Sequence, residues 1–255
     1  SSELAPKFIA GGKKIAYLAA GNNGTMQIWT MNPDGSDRKQ ISNLAKDVDD
    51  FMFSPDEKYI LVIHTVKFGE RVSDKHKDLQ KTTGRLLNDA MYRHWDEWVE
   101  SIPQPFIYRF NGTELSTDPV HILGDEPYEC PMKPFGGIEQ LAWSPDSKSI
   151  AYTCRKKTGI EYAVSTDSDI FLYNIESGKT TNLCKPADYV APKVDYTYSL
   201  QNQAVNAPIK EGKDYNLGYD TNPQFSPDGK FIAWQSMERD GYESDRNRLC
   251  VYEIE

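Results

Sequence analysis

Acidic and aromatic residues lie close together in the segment 85–103. Glu97 and Glu100 flank Trp98 in this segment. An ionised carboxylate beside an aromatic wall could hold a cationic group through a charge-assisted hydrogen bond. Apolar residues of the same segment recur at helical spacing, which predicts an amphipathic helix over 85–103 that packs its tryptophans on the rest of the protein. The sequence leaves the structural and the binding interpretation open.

A second charged segment, SMERDGYESDRN, occupies residues 236–247. Glu238 or Glu243 could supply a carboxylate to a bound cation. Arg239 could contact a substrate backbone or another domain, and Tyr242 belongs to the same candidate site. The alternative is a solvated loop in which the Asp-Gly pair makes the turn.

The sequence indicates no cofactor and no metal site. It contains no C-x-x-C, no H-E-x-x-H and no calcium-loop signature, and its four histidines form no pair at metal-binding spacing. We interpret the four cysteines as isolated, partly buried thiols, with a disulfide as the alternative. These cysteines are Cys130, Cys154, Cys184 and Cys250.

The charge balance excludes two classes of partner. Lys plus Arg number 29 and Asp plus Glu number 38, so the net charge is −9. A nucleic-acid binder needs a basic stripe, and an anionic membrane surface attracts basic segments, so neither partner is expected. No stretch approaches the roughly 18 apolar residues of a spanning helix. The first residues show no signal peptide, which does not settle the compartment of a mature protein.

The candidate sites lie between copies of an internal sequence repeat. Four segments align without gaps, and three of them carry Ser-Pro-Asp at the centre. Pro after Ser favours a tight turn, Asp can bond to the backbone beyond it, and the flanks are β-branched or aromatic. Each repeat therefore predicts strand, turn and strand. The segments are PKFIAGGKKIAY (6–17), DFMFSPDEKYILV (50–62), LAWSPDSKSIAY (141–152) and PQFSPDGKFIAW (223–234).

A second hairpin follows each repeat, so the unit has four antiparallel strands, which we call a to d. Such units are blades of a β-propeller, and the fold class expected is all-β: a partial, TolB-like propeller of about four blades with a helical insertion in blade two. The expected blades are 1–43, 48–124, 137–184 and 221–255, with insertions at 66–105 and 185–220.

The long connections should share one face of the propeller. In an up-and-down blade the a–b and c–d turns lie at one edge, and the b–c and d–a connections lie at the other. All the long insertions here are b–c or d–a connections. Because binding residues concentrate on loops held by a rigid scaffold, we expect this to be the functional face.

Particular stretches of the sequence carry a family resemblance. SPDGKFIAW, with MNPDG in a partner hairpin, resembles the propellers of TolB and of the prolyl oligopeptidase family. The insertions KFGERVSDKHKDLQKTTGRLLNDAMYRHWDEWVESIPQPFI (67–107), EPYECPMKPFGGIEQLAWSPD (126–146) and AWQSMERDGYESDRNRL (233–249) resemble the bacterial dipeptidyl peptidase V type within that family.

The resemblance implies a serine exopeptidase that releases dipeptides from peptide N-termini and is exported to the periplasm or secreted. Its partners would be peptide substrates and its own C-terminal α/β-hydrolase domain. Family members hold the substrate ammonium with propeller carboxylates, which makes Glu97, Glu100 and Glu238 the candidates here, with Trp98, Arg239 and Tyr242 as further substrate contacts. No Glu-Glu pair of the dipeptidyl peptidase IV type is present.

The chain departs from the family pattern because it has no G-x-S-x-G elbow. We therefore expect a propeller segment without catalytic residues, inactive alone, that gates access and docks the hydrolase domain. Four blades cannot close, so such a segment could form a homo-oligomer. The alternative function is a TolB-like periplasmic binding propeller without enzymatic activity.

Overall fold

The computed structural model describes residues 2–87, 91, 93–94, 97–190 and 217–254. Most of its elements are strands, which confirms the all-β class. In chain order the strands and α-helices are β1 (Leu4–Ile9), β2 (Lys14–Ala20), β3 (Met26–Met31), β4 (Lys39–Gln40), β5 (Asp50–Phe53), β6 (Tyr59–Lys67), β7 (Glu70–Arg71), α1 (Val72–Lys75), β8 (Arg85–Leu86), β9 (Arg93–His94), β10 (Glu97–Trp98), β11 (Ser101–Arg109), β12 (Val120–His121), β13 (Leu141–Trp143), β14 (Ser149–Cys154), α2 (Gly159–Val164), β15 (Asp169–Asn174), β16 (Thr180–Asn182), β17 (Asp220–Phe225), β18 (Phe231–Ser236) and β19 (Arg248–Glu253).

Within the described residues, the strands form four larger antiparallel sheets in sequence order and two small two-stranded ones, β7-β8 and β9-β10. Sheet 1 is β1-β2-β3-β4, sheet 2 is β5-β6-β11-β12, sheet 3 is β13-β14-β15-β16, and sheet 4 is β17-β18-β19. The first two strands of each sheet come from one copy of the aligned repeat. The predicted strand, turn and strand of each repeat is therefore confirmed.

The Ser-Pro-Asp turns share one hydrogen-bond pattern. In the turn of sheet 2, the Ser54 hydroxyl donates to Asp56 at 2.7 Å and accepts from the amide of Tyr59 at 3.0 Å. The turns of sheets 3 and 4 repeat both bonds with their own serines. The residue after Asp has φ of +56° to +72°, and it is Glu57, Ser147 or Gly229. Glycine adopts this left-handed conformation most easily. It stands at this position in one of the three turns, and Glu or Ser stands there in the other two.

The a–b turns of neighbouring sheets touch one another. The amide of Ala10 donates to the Glu57 carboxylate at 2.6 Å, which joins sheets 1 and 2. The amide of Asp56 donates to the hydroxyl of Ser147 at 3.0 Å, which joins sheets 2 and 3. These side chains give Glu57 and Ser147 a role that glycine could not fill. The bonds also place the short turns together at one edge, so the b–c connections lie at the opposite edge.

Apolar clusters fill the spaces between consecutive sheets. One cluster lies between sheets 1 and 2, a second between sheets 2 and 3, and a third between sheets 3 and 4. The aligned isoleucines Ile60, Ile150 and Ile232 are fully buried in these clusters. Phe8 of sheet 1 is 72 % exposed because it points to the side opposite sheet 2, as strand alternation requires.

The predicted helix over 85–103 is wrong. Among its described residues, 85–86, 93–94 and 97–98 form short strands, and 101–103 begin β11. β11 pairs with β6 along nine residues, and Ile102 is buried against that partner. A long strand ladder with a buried apolar face outweighs local helical spacing. Among the described residues of this insertion, those in an α-helix are Val72–Lys75, the short α1. Two apolar residues of the helical spacing, Ala90 and Trp95, lie outside the described residues, as does most of the 185–220 connector.

Candidate functional site

The loop face, as we define it, comprises the b–c connections of the sheets and the connections between sheets. Its described residues lie within 21–25, 41–49, 68–100, 122–140, 155–168, 183–190, 217–219 and 237–247. All six residues predicted to bind substrate lie on it: Glu97, Trp98, Glu100, Glu238, Arg239 and Tyr242.

The carboxylate of Glu100 is held by two guanidinium groups. Arg71 donates to one of its oxygens, and Nε of Arg85 lies 2.6 Å from the other. The hydrogen bond from Arg71, together with the charge of Arg85, lowers the pKa of Glu100. The carboxylate is therefore ionised at neutral pH, and its charge is already compensated.

Trp98 forms an exposed aromatic wall beside this ion pair. Its side chain is 41 % exposed, and the guanidinium of Arg85 lies 4.4 Å from the ring centroid. Arg93 lies over the same ring system at 5.4 Å. Glu97 precedes Trp98 and is exposed. Trp98 and Glu100 therefore share Arg85 as a partner, and the binding role of Glu97, Trp98 and Glu100 stays a prediction.

In the loop 237–247, Arg239 interacts with two other residues of the same loop. Nε of Arg239 donates to the Asp245 carboxylate at 3.0 Å, and the guanidinium lies 3.9 Å from the ring centroid of Tyr242. The hydrogen bond from Arg239 lowers the pKa of Asp245. The Glu238 side chain is 60 % exposed and lies 3.6 Å from Arg248. Arg239 and Glu238 are thus about equally exposed, and each has a partner of opposite charge, Asp245 and Arg248 respectively.

A tyrosine connects the insertion to the next b–c connection. Tyr162 of α2 is buried with Met91, Val99 and Ile102 of the insertion and the following strand. Its hydroxyl donates to the carboxylate of Glu129, which is 2 % exposed. These contacts make the connection 155–168 a bridge between elements that are far apart in sequence.

Arg155 completes a buried group that the sequence did not predict. Its guanidinium lies 4.2 Å from the ring centroid of Tyr162 and 4.0 Å from Glu129, and it donates to the carbonyl of Ser165 at 2.9 Å. Arg155 and Glu129 are 7 % and 2 % exposed. Burying an ion pair is costly unless hydrogen bonds replace those that its charges made to water. The amide of Lys133 donates one such hydrogen bond to the Glu129 carboxylate at 3.1 Å.

A second buried network was also missed. The ammonium of Lys185 lies 2.6 Å from Asp167 and 2.8 Å from Asp169, and Lys157 lies 3.2 Å from Asp167. The spacing of Asp167 and Asp169 could have indicated this network. Residues two apart in an extended chain point to the same side, so both carboxylates could face one cation. Nothing local to either aspartate indicates that Lys185 reaches both.

One cluster has ligand types that a metal could use. The ligand atoms of Asp169, Cys184 and Asp220 all lie within 4.8 Å of one another. Both oxygens of Asp169 are already within 2.9 Å of the Lys185 ammonium, and Trp234 donates to Asp220 at 2.9 Å. Burial raises the pKa of the Cys184 thiol, which disfavours the thiolate that binds metals. The surroundings of this cluster fit an internal polar network, and we assign no metal to it.

Comparison with known proteins identifies close relatives in sequence. Dipeptidyl-peptidase 5 of Porphyromonas gingivalis is 49 % identical over 255 residues, which are 100 % of this chain and 33 % of that protein. Dipeptidyl-peptidase 5 of Porphyromonas endodontalis is 39 % identical over 252 residues, 97 % of this chain and 31 % of that protein. The chain spans about a third of the length of these curated relatives. No protein-family model matches it.

A solved structure shares the fold. The acylaminoacyl peptidase of Pyrococcus horikoshii superposes with a TM-score of 0.56 at 14 % identity, over 99 % of this chain and 31 % of that one. At this identity the match shows the fold alone. None of the helices in the described residues has the length and apolar character needed to cross a bilayer. The sequence relationship is the stronger finding: the chain is homologous to these two dipeptidyl-peptidase 5 proteins along nearly its whole length and corresponds to about a third of each of them.

Proposed function

We propose that this chain is the propeller segment of a serine-type dipeptidyl peptidase, and that its loop face gates the substrate, binds the substrate N-terminus and docks the hydrolase domain. The observation that carries the proposal is the 49 % identity along the whole chain to a dipeptidyl-peptidase 5. The segment itself has no G-x-S-x-G elbow, so in this proposal it contributes recognition and not the nucleophile.

The charges on the loop face support binding of a peptide ammonium. Glu97 and Glu238 are exposed carboxylates, and an ammonium that pairs with one of them forms a charge-assisted hydrogen bond. A peptide with a blocked N-terminus would leave that carboxylate without its partner and would be rejected. An incoming ammonium would compete with two arginines at Glu100, Arg71 and Arg85, but with one at Glu238, Arg248 at 3.6 Å.

Exposed apolar side chains support docking of a further domain at the same face. Phe135, Ile160 and Val164 are 79 %, 39 % and 43 % exposed and lie on loop-face connections. Apolar surface of this kind commonly marks a protein interface. The family resemblance further supports a periplasmic or secreted protein, which fractionation of the producing cells would test.

The experiment uses the full-length protein that carries this chain. It should release dipeptides from peptides with a free N-terminus and cleave N-acetylated peptides poorly, as followed by mass spectrometry. Glu97→Gln, Glu100→Gln and Glu238→Gln are compared with Glu176→Gln, an exposed glutamate in the β15–β16 turn at the opposite edge. Loss of the anchor should reduce the preference for free N-termini by about tenfold to a hundredfold, the effect of one charged hydrogen bond.

Two results would overturn the proposal at different levels. Release of no dipeptides by the full-length protein would refute the peptidase function and favour a binding propeller. Dipeptide release with an unchanged preference in all three variants would refute the anchor assignment and leave the peptidase function in place.

A further inference from the structure

The sequence contains two Asn-Gly pairs, and each is followed by threonine. Residues 23–25 lie between β2 and β3 on the loop face, and residues 111–113 lie between β11 and β12 at the opposite edge. Both asparagines are exposed to solvent. The two sites thus share their sequence and their exposure, so a difference in their chemistry has to come from the hydrogen bonds that the fold makes around them.

An Asn-Gly pair can react with itself. The backbone nitrogen of glycine attacks Cγ of the asparagine side chain, so that a bond from N to Cγ forms, the bond from Cγ to Nδ2 breaks, and ammonia leaves with the amide proton. The product is a succinimide ring. Water then opens the ring at one of its two carbonyls and leaves aspartate or isoaspartate. Glycine favours the attack because it has no side chain to obstruct the approach.

The side-chain carbonyl of Asn111 is polarised by three hydrogen bonds. Its Oδ1 accepts from the amide and the hydroxyl of Thr113 at 2.9 and 2.8 Å, and from the amide of Glu114 at 2.9 Å. When a nitrogen attacks the carbonyl carbon, negative charge develops on this oxygen. Donors that already point at the oxygen stabilise that charge, as they do in an oxyanion hole. The loop therefore prepares Asn111 for attack.

The two nitrogen atoms that take part in the reaction are not held at this site. Within the part of the chain that the structure describes, neither the amide of Gly112 nor Nδ2 of Asn111 donates a hydrogen bond. A Cβ built on Gly112 would meet no heavy atom within 4 Å, so the space around the attacking nitrogen is open. Attack by Gly112 and departure of ammonia therefore break no hydrogen bond of the fold.

The same two nitrogen atoms are held at the first Asn-Gly pair. The amide of Gly24 donates to the carbonyl of Gly21 at 3.1 Å, and Nδ2 of Asn23 donates to the carbonyl of Leu44 at 2.9 Å. Oδ1 of Asn23 accepts from the amide and the hydroxyl of Thr25. This carbonyl is thus polarised as well, but two hydrogen bonds have to break before the ring can form.

We propose that Asn111 is a site of spontaneous succinimide formation in the folded protein, and that the fold protects Asn23 from the same reaction. The proposal does not depend on the proposed function. The aspartate product adds a negative charge near Glu114, and the isoaspartate product adds a methylene group to the backbone of the β11–β12 turn. Both changes lie at the edge opposite the loop face, so the modification alters the turn without touching the predicted substrate-binding residues.

The test is the ratio of two deamidation rates in the full-length protein that carries this chain. The protein is incubated in mildly alkaline buffer, folded in one sample and in concentrated urea in the other, and peptides containing each pair are quantified by mass spectrometry over time. In the folded protein Asn111 should convert at least about tenfold faster than Asn23, the effect of two neutral hydrogen bonds that must open. In urea the two rates should become similar, because both pairs have the sequence Asn-Gly-Thr.

Matched variants identify the source of the isoaspartate. Asn111→Gln and Asn23→Gln each lengthen one side chain by a methylene group, so that a larger ring would have to form and would close more slowly. An enzyme that methylates isoaspartyl carboxylates measures the product in the aged, folded proteins, and isoaspartate from Asp-Gly pairs forms equally in both variants. Asn111→Gln should remove most of the isoaspartate that arises from Asn-Gly pairs, whereas Asn23→Gln should leave it nearly unchanged.

Similar rates for the two asparagines in the folded protein, or faster conversion of Asn23, would refute the proposal. An equal loss of isoaspartate in the two variants would refute it as well. Neither measurement depends on dipeptide release, so these results leave the proposed function to its own test.

Discussion

The carboxylate of Asp240 accepts a hydrogen bond from the backbone amide of Thr166 at 2.8 Å. The same oxygen accepts from the Ser165 hydroxyl at 2.7 Å, and the amide of Gly241 donates to the Thr166 hydroxyl at 2.9 Å. These bonds tie the loop that carries Glu238 to the connection 155–168, whose Tyr162 packs against the insertion. The two groups of predicted site residues are thus linked through one connection of sheet 3.

Removal of this link should loosen both loops locally. Asp240→Ala deletes the acceptor of two hydrogen bonds, and we expect the Thr166 amide to exchange with solvent about five- to tenfold faster, which corresponds to roughly 1 kcal/mol. Asp240→Asn keeps a side-chain oxygen and should exchange almost as slowly as the unmodified protein. Hydrogen exchange followed by mass spectrometry measures both. Unchanged exchange in the alanine variant would show that the link contributes nothing.

The Ser-Pro-Asp turns should differ in their contribution to stability. Ser54 and Ser144 are 2 % and 6 % exposed, whereas Ser226 is only partly buried. Substitution by alanine removes the acceptor of a backbone amide in each turn, and the loss costs more where water cannot replace it. We expect about 1–2 kcal/mol for the first two variants and about 0.5 kcal/mol for the third in urea unfolding. Equal losses in all three would contradict this explanation.

His64 should make the fold less stable in mild acid. Its Nδ1 donates to the carbonyl of Asp47 at 2.6 Å, and the Tyr108 hydroxyl donates to Nε2 at 2.9 Å, an arrangement that suits the neutral ring. Burial lowers the pKa of His64. The unfolded chain therefore binds a proton at a higher pH than the folded one, so stability is lost as the pH falls below about 6.5, the pKa of unfolded histidine.

The measurement compares His64→Gln with the unmodified protein. Urea unfolding between pH 5 and 8 should give a weaker pH dependence for the variant below about pH 6.5, and the two slopes should agree above it. His121 remains as a second group whose pKa is lowered by burial, so some dependence should persist in the variant. Identical curves for both proteins would exclude His64 as a source of acid sensitivity.

The thiols should react in an order set by burial. Cys130 and Cys154 are fully buried, and burial raises the pKa of these thiols and of Cys184. Cys250 lies half-buried on β19 and should be the first to react with N-ethylmaleimide in the native protein. In denaturant all four cysteines should react. Mass spectrometry of the labelled peptides gives the order, and early labelling of Cys130 would contradict the structure.

The repeat made much of the fold predictable. Ser-Pro-Asp between two apolar, β-branched flanks specifies a turn and two strands locally, and the structure forms that hairpin in sheets 2, 3 and 4. The insertion was not predictable in the same way. Its apolar residues fit helical spacing, but its last residues belong to β11, which pairs with β6 along nine residues. The paired residues are separated by about 40 positions in the sequence, so a short sequence window does not contain both partners.

The sequence by itself determined the all-β class, the strand order within each sheet and the edge at which the long connections lie, because turns and alternation are properties of neighbouring residues. Only the tertiary structure decided which charges meet. Arg71 and Arg85 compensate Glu100, Arg155 joins Glu129, and Lys185 holds two aspartates. The pairs of Arg155 and Lys185 lie where burial makes an unpartnered charge too costly, and burial depends on how the sheets and loops pack.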